Sequence, residues 1–258
     1  MVRNQVGKEL RDIKHYATTT DLWSSRTMDP YISLTVHDIN DDWKLCSKCL
    51  QTSYVPDDHT GELIARGLRE ALESWELAEE LQVCITTDNG ANVVKAVGLN
   101  DLLDMASFID PWFKISYIAD NRKDYIKTKA VAEMQALTAA AEVGENKKVK
   151  RSLGSFFKKA SIPGPAALAD RDAIEIELQS YLQALDVDGE ADPLEWLELH
   201  QANVPRVASL ARKYLCIPAT SAPSERAFST GGNIVTCHRA AVKPENVDRL
   251  VFLAKNLP

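Results

Sequence analysis

The chain has 258 residues, 45% of them hydrophobic and 26% charged, a globular composition that suits one large or two modest domains. Its 30 Lys+Arg against 37 Asp+Glu leave a formal charge of −7, which excludes nucleic-acid binding over the whole surface because phosphate neutralisation needs clustered cations. No run of roughly eighteen apolar residues is present, so no membrane-spanning helix is expected, and the opening Met1-Val2-Arg3-Asn4-Gln5 has no apolar stretch behind it and does not read as a signal peptide.

Residues 15–55 read as three strands. The first is Thr-rich, from His15 to Trp23, with Asp21 near its end. Tyr31 to Val36 alternates apolar with polar, the period of a half-buried strand. Asn40-Asp41-Asp42 supplies a turn, and Trp43 to Leu50 follows as the third strand. Short connections make this an antiparallel meander. Ile64, Leu68, Leu72 and Trp75 then recur along one face of a 3.6-residue period, with Asp57, Asp58 and Thr60 as capping side chains. Val83 to Thr87 is a short apolar strand ending at Asp88-Asn89-Gly90, and Ala91 to Val97 opens a helix. This βββαβα order predicts a mixed sheet with a helix across it.

Residues 101–140 are helical by composition, and 141–165 form a linker containing Lys147-Lys148-Val149-Lys150-Arg151 and Ser161-Ile162-Pro163-Gly164-Pro165. Further helices are expected at about 170–185, at 204–215 and from Pro244, which suits a first helical position.

Three carboxylates stand out by setting. Asp21 and Asp88 close strands, and Glu225 lies on a helix. Such a trio suits two Mg²⁺ ions, which take hard oxygen ligands and together activate water and stabilise a leaving oxygen at phosphorus. Asp at strand ends and Glu on helices are equally ordinary solvated residues, and composition does not choose between the readings.

Several segments in fixed order go further. They are Asp21-Leu22-Trp23-Ser24-Ser25, Trp43-Lys44-Leu45, Cys84-Ile85-Thr86-Thr87-Asp88-Asn89-Gly90-Ala91-Asn92, Asp192-Pro193-Leu194-Glu195-Trp196, Ala211 to Ser221, Ser224 to Ser229, and Pro244 to Leu250. On these the chain resembles the hAT superfamily of DNA transposases, and within it the vertebrate zinc-finger BED-domain-containing proteins. The resemblance implies an RNase H-like core with an acidic triad at Asp21, Asp88 and Glu225 holding Mg²⁺. It also implies dimerisation through the C-terminal helices. The family's BED finger is not seen, nor is its Cys-x-x-His element after the second acid. Most of its helical insertion is missing too: Lys95-Ala96-Val97-Gly98 runs straight into Leu99-Asn100-Asp101, and Met105 to Lys114 resembles the far end of that insertion.

The expected fold is therefore α/β. A truncated RNase H-like mixed sheet (1–100) precedes an insertion remnant and basic linker (101–165) and a helical hAT dimerisation region (166–258). Trp196, Leu210, Tyr214, Phe228, Val247, Leu250 and Val251 are the candidate dimerisation residues. The expected function is a non-catalytic nuclear protein that pairs with itself or with related hAT-derived proteins and acts on transcription, touching DNA only locally or through a partner. The alternative is a Mg²⁺-dependent transposase or nuclease using the triad. Residues 147–151 serve nuclear import or a solvated linker. The five cysteines are odd in number and scattered, which suits a reducing compartment. Cys46-x-x-Cys49 is one pair whose members fall on opposite strand faces, and Cys237-His238 has no ligands at workable spacing, so no zinc site is identified.

Overall fold

The computed structural model describes residues 1–25, 29–55, 61–87, 99–145, 165–184, 187, 190–235 and 242–257. The predicted meander is present as β1 (Tyr16–Ser24), β2 (Pro30–Ile39) and β3 (Leu45–Tyr54). β4 (Gln82–Thr86) joins β1 in parallel, so the sheet is mixed, with order β3-β2-β1-β4. The third strand starts two residues later than the sequence suggests, because Trp43 takes a left-handed φ of 56° in the turn. There Asn40 Oδ1 accepts the Lys44 N–H at 2.9 Å.

The pleat sends alternate residues to opposite faces. Tyr16, Leu34, Val36 and Leu50 point to one face, where Val6 and Leu10 of α1 (Val2–Arg11) pack beside Ala71, Leu72, Trp75 and Leu77 on and just beyond α2 (Gly61–Ser74). A bulge lets Leu50 reach this core: Leu34 pairs with Gln51 but Thr35 with Cys49, leaving Leu50 as the extra residue. Tyr31, Cys49 and Trp23 line the other face. They meet Ala227 of α8 (Ala222–Ile234), Val235 after it, and Val247 and Val251 of α9 (Pro244–Asn256). Residues 1–99 and 215–258 thus make one compact unit, with the sheet covered on one face by the tail of the chain. β4, all five of whose residues are half-buried, is tied to the tail where Thr86 Oγ1 donates to the Pro218 carbonyl at 3.4 Å.

Residues 100–214 form a second, helical unit of α3 (Leu99–Ile109), α4 (Asp120–Glu145), α5 (Pro165–Gln183), α6 (Pro193–His200) and α7 (Pro205–Tyr214). Its core draws Ile126, Ala130 and Met134 from α4, Ile174 and Tyr181 from α5, and Val207, Leu210 and Ala211 from α7, each 0–1% exposed. Pro193 and Pro205 start their helices where a missing N–H costs nothing. Asp192 caps α6 by accepting the Leu194 N–H at 2.8 Å. Glu177 of α5 does the same for a different helix: its Oε1 accepts the N–H groups of Arg206 and Val207, at 2.7 and 3.0 Å, in the first turn of α7. Between α3 and α4, Arg122 bonds Asp101 at 2.6 Å and Asp104 at 2.5 Å.

The helix expected at Ala91–Val97, the capping residues Asp57, Asp58 and Thr60, the basic run at 147–151, and Cys237-His238 lie outside the described residues.

Candidate functional site

Asp21 lies within β1 rather than at its end, paired with Ser33 of β2 and followed by three more strand residues. It is 9% exposed, and its Oδ1 accepts the Leu22 N–H at 2.8 Å. Alternation puts its side chain on the same face as Trp23, the face that α8 covers. There the Trp23 ring meets Phe228 with centroids 5.5 Å apart. Glu225 sits in the first turn of α8, three residues before Phe228. It is exposed, and its Oε1 accepts from Ser221 Oγ at 3.2 Å. Neighbouring Ser224, Ala227 and Gly231 are buried against the sheet.

Two of the three acids therefore stand on elements that pack together, Asp21 buried and Glu225 at the surface. Asp88 lies outside the described residues. The parallel pairing of β1 with β4 ends at Thr19↔Thr86, two positions before Asp21 and Asp88 in their respective segments. Carboxylates are the donor type that Mg²⁺ prefers. Among the described residues, which do not include Asp88, no group of three or more His, Cys, Asp or Glu is clustered for a metal.

The same sheet face holds a polar centre that sequence reasoning missed. His37 is 1% exposed, with Nε2 3.0 Å from Thr19 Oγ1 and Nδ1 2.8 Å from Ser47 Oγ. Burial pushes its pKa down to about 4, so the ring is neutral at ordinary pH. Its partners come from the two flanking strands, a pairing that no local pattern announces.

The candidate dimerisation residues divide by exposure. Leu210, Tyr214, Val247 and Val251 are 0–3% exposed within the chain itself. Trp196 stacks on His200 with centroids 4.0 Å apart and meets Tyr181 edge-on. Phe228 is spent on Trp23, whereas Leu250 is 44% exposed. With Leu253, at 37%, it forms an outward pair at i and i+3 of the last helix, and Leu257, just past the helix end in extended backbone, is 53% exposed. The inward side of that helix holds the edge of the sheet: an Asp248 carboxylate oxygen accepts the Thr52 N–H at 2.7 Å, and Asn256 Nδ2 donates to the Cys49 carbonyl at 2.7 Å. Burial raises the pKa of Asp248.

Cys49 is buried against α8 and α9, whereas Cys46 is half-buried three residues earlier on the opposite face. Burial raises both thiols, which disfavours the thiolate that a metal or an electrophile would need. No helix among the described residues is long and apolar enough to cross a membrane.

Two families match the chain: the ZBED1 RNase-like domain over residues 19–109 and the hAT family C-terminal dimerisation region over residues 177–257. Human zinc finger BED domain-containing protein 4 is 23% identical over 166 residues, 59% of this chain but 14% of that protein. The putative AC transposase of Zea mays is 26% identical over 97 residues, 37% of this chain and 12% of that protein. The chain thus spans only a small part of the length of these relatives. With an RNase-like region followed by a hAT dimerisation region, in the order its motifs predict, the chain is similar over both stretches to transposase-derived proteins of the hAT type.

Proposed function

We propose that this chain works by self-association through its C-terminal region, pairing with a second copy or a related hAT-derived chain, and does not cut DNA itself. The exposed Leu250 and Leu253 on the last helix, with Leu257 just past its end, support this reading, because they fall inside the stretch that matches the family's dimerisation region. Apolar side chains left in a row on a short helix lose water-exposed area when a second such surface covers them. In this reading the protein acts in the nucleus on transcription, and DNA is reached locally or through the partner. The net charge of −7 weighs against a broad DNA-binding face. Sedimentation equilibrium over a concentration series tests the core of the proposal: a mass of two chains is expected, and a strict monomer at high concentration refutes it. Replacing the basic residues at 147–151 by Ala in a fluorescent fusion is expected to shift it out of the nucleus.

The placement of buried Asp21 and surface Glu225 on packed elements favours a second reading, a Mg²⁺-dependent strand-nicking enzyme that also uses Asp88. In it the three carboxylates would hold the metal, which supplies activation of water and charge neutralisation at phosphorus. A supercoiled plasmid with Mg²⁺ separates the two. No nicking is expected; nicking by the wild type that disappears in both Asp21→Asn and Glu225→Gln would replace the non-catalytic reading.

A further inference from the structure

We infer that Asp248 and Asn256 are positioning residues for self-association: they hold α9 on the open edge of β3, and only a helix held there presents the leucine pair. This inference rests on the reading in which α9 receives a second copy.

Among the described residues β3 ends the sheet, and an edge strand presents backbone donors and acceptors with no strand to pair them. Asp248 takes up one such donor, the Thr52 N–H, and Asn256 one such acceptor, the Cys49 carbonyl. The spacing suits the task. Eight residues of helix rise about 12 Å, close to the roughly 10 Å that three residues of strand span, so one side of α9 reaches both groups while running antiparallel to β3.

Val247 and Val251 on one side and Phe252, whose ring lies 5.7 Å from that of Trp75, on another seat the helix, but apolar contact is non-directional and leaves its exact roll and register loose. Hydrogen bonds at two points along the helix fix that roll, and with it the outward direction of Leu250 and Leu253. A helix of 13 residues is marginal alone in water, so the leucine pair is pre-organised only while α9 is seated. Coupling of this kind is reciprocal. A second copy bound to the leucine pair holds α9 down and lowers the frequency with which the Thr52 amide opens to solvent.

The test uses the whole chain, with self-association read by sedimentation velocity and amide exchange read at residues 49–52. Asp248→Ala/Asn256→Ala touches neither leucine, yet is expected to weaken association roughly tenfold, about what the loss of one or two partly buried hydrogen bonds does. Asp248→Asn, which keeps an acceptor, recovers most of it. Exchange at Thr52 is expected to slow with rising protein concentration in the wild type and to be independent of concentration in Leu250→Glu/Leu253→Glu. A wild-type dimer whose association is unchanged in the double alanine variant overturns this inference alone, as does Thr52 exchange that ignores concentration while dimers form. A strictly monomeric wild type overturns the self-association reading as well. Should the alanine variant lose cooperative unfolding, the wild-type exchange series decides.

Discussion

Gly231 is a point of close approach of α8 to the sheet. A Cβ built there lies 2.7 Å from Trp23 Cζ2 and 3.0 Å from Cη2, where carbon atoms prefer about 3.5–4.0 Å. Trp23 has little room to yield, since its ring is stacked on Tyr31 at 5.2 Å and meets Phe228 at 5.5 Å. Overpacking of this size costs about 1–3 kcal/mol. Gly231→Ala also gains helix propensity, about 1 kcal/mol in a helix interior, so its net effect alone is small and hard to read. The next residue removes that difficulty. Gly232 is in the same helix, and its added Cβ meets nothing within 4 Å. The propensity gain largely cancels between the two alanine variants, leaving the clash as their difference. Gly232→Ala is expected to be about 0.5–1 kcal/mol more stable than wild type, and Gly231→Ala about 1–3 kcal/mol less stable than Gly232→Ala. Urea unfolding followed by tryptophan fluorescence measures both. Equal midpoints at equal slopes would show that α8 does not seat on Trp23 as described.

His37 makes stability depend on pH. Burial holds its pKa at about 4 against 6.5 when unfolded, so the unfolded chain binds more protons in that window, and its contribution is full above 6.5 and lost as the pH falls towards 4. The shift corresponds to on the order of 3 kcal/mol. Asp38, pushed up to about 6 by burial, titrates in the opposite sense, so the quantity to follow is wild type minus His37→Gln; a difference that stays flat across the window would contradict the buried neutral ring. Glu177→Ala strips the Arg206 and Val207 N–H groups of their acceptor and is expected to cost about 1–3 kcal/mol in chemical unfolding, with Glu177→Gln largely sparing it. In the helical unit, the Tyr125 hydroxyl and the Arg122 guanidinium hold the Asp101 pKa near 2; Arg122→Ala should raise it, measurable by carboxyl NMR titration, and an unmoved value would deny the pairing.

What the sequence revealed depended on how local the signal was. The meander was legible because alternation in Tyr31–Val36 and turn chemistry at Asn40–Asp42 act within a few residues. α1 went unread although Val2, Val6, Leu10 and Ile13 repeat with the same spacing as the apolar face of α2, and all four reach the core. The left-handed Trp43 was hidden because a bulky residue seldom takes that conformation. Asp21 and Glu225 stood out only through resemblance to a family; their types and local settings are commonplace. Contacts such as His37 with Thr19, or Asp248 with Thr52, join segments that a one-dimensional pattern cannot bring together, the latter across 196 positions.

That separation has a consequence for how the protein comes into being. The strands of the sheet precede the helical unit, and the helices covering their second face follow it. Translation at about 5–20 residues per second puts roughly 10–40 s between emergence of Thr52 and of Asp248. During that interval Tyr31, Cys49 and Trp23 have no tail to pack against, while the helices of residues 100–214, rich in short-range contacts, are free to form first. The nascent sheet is then a client for holding chaperones, and ribosome-bound chains halted before residue 222 should bind them more than full-length chains do.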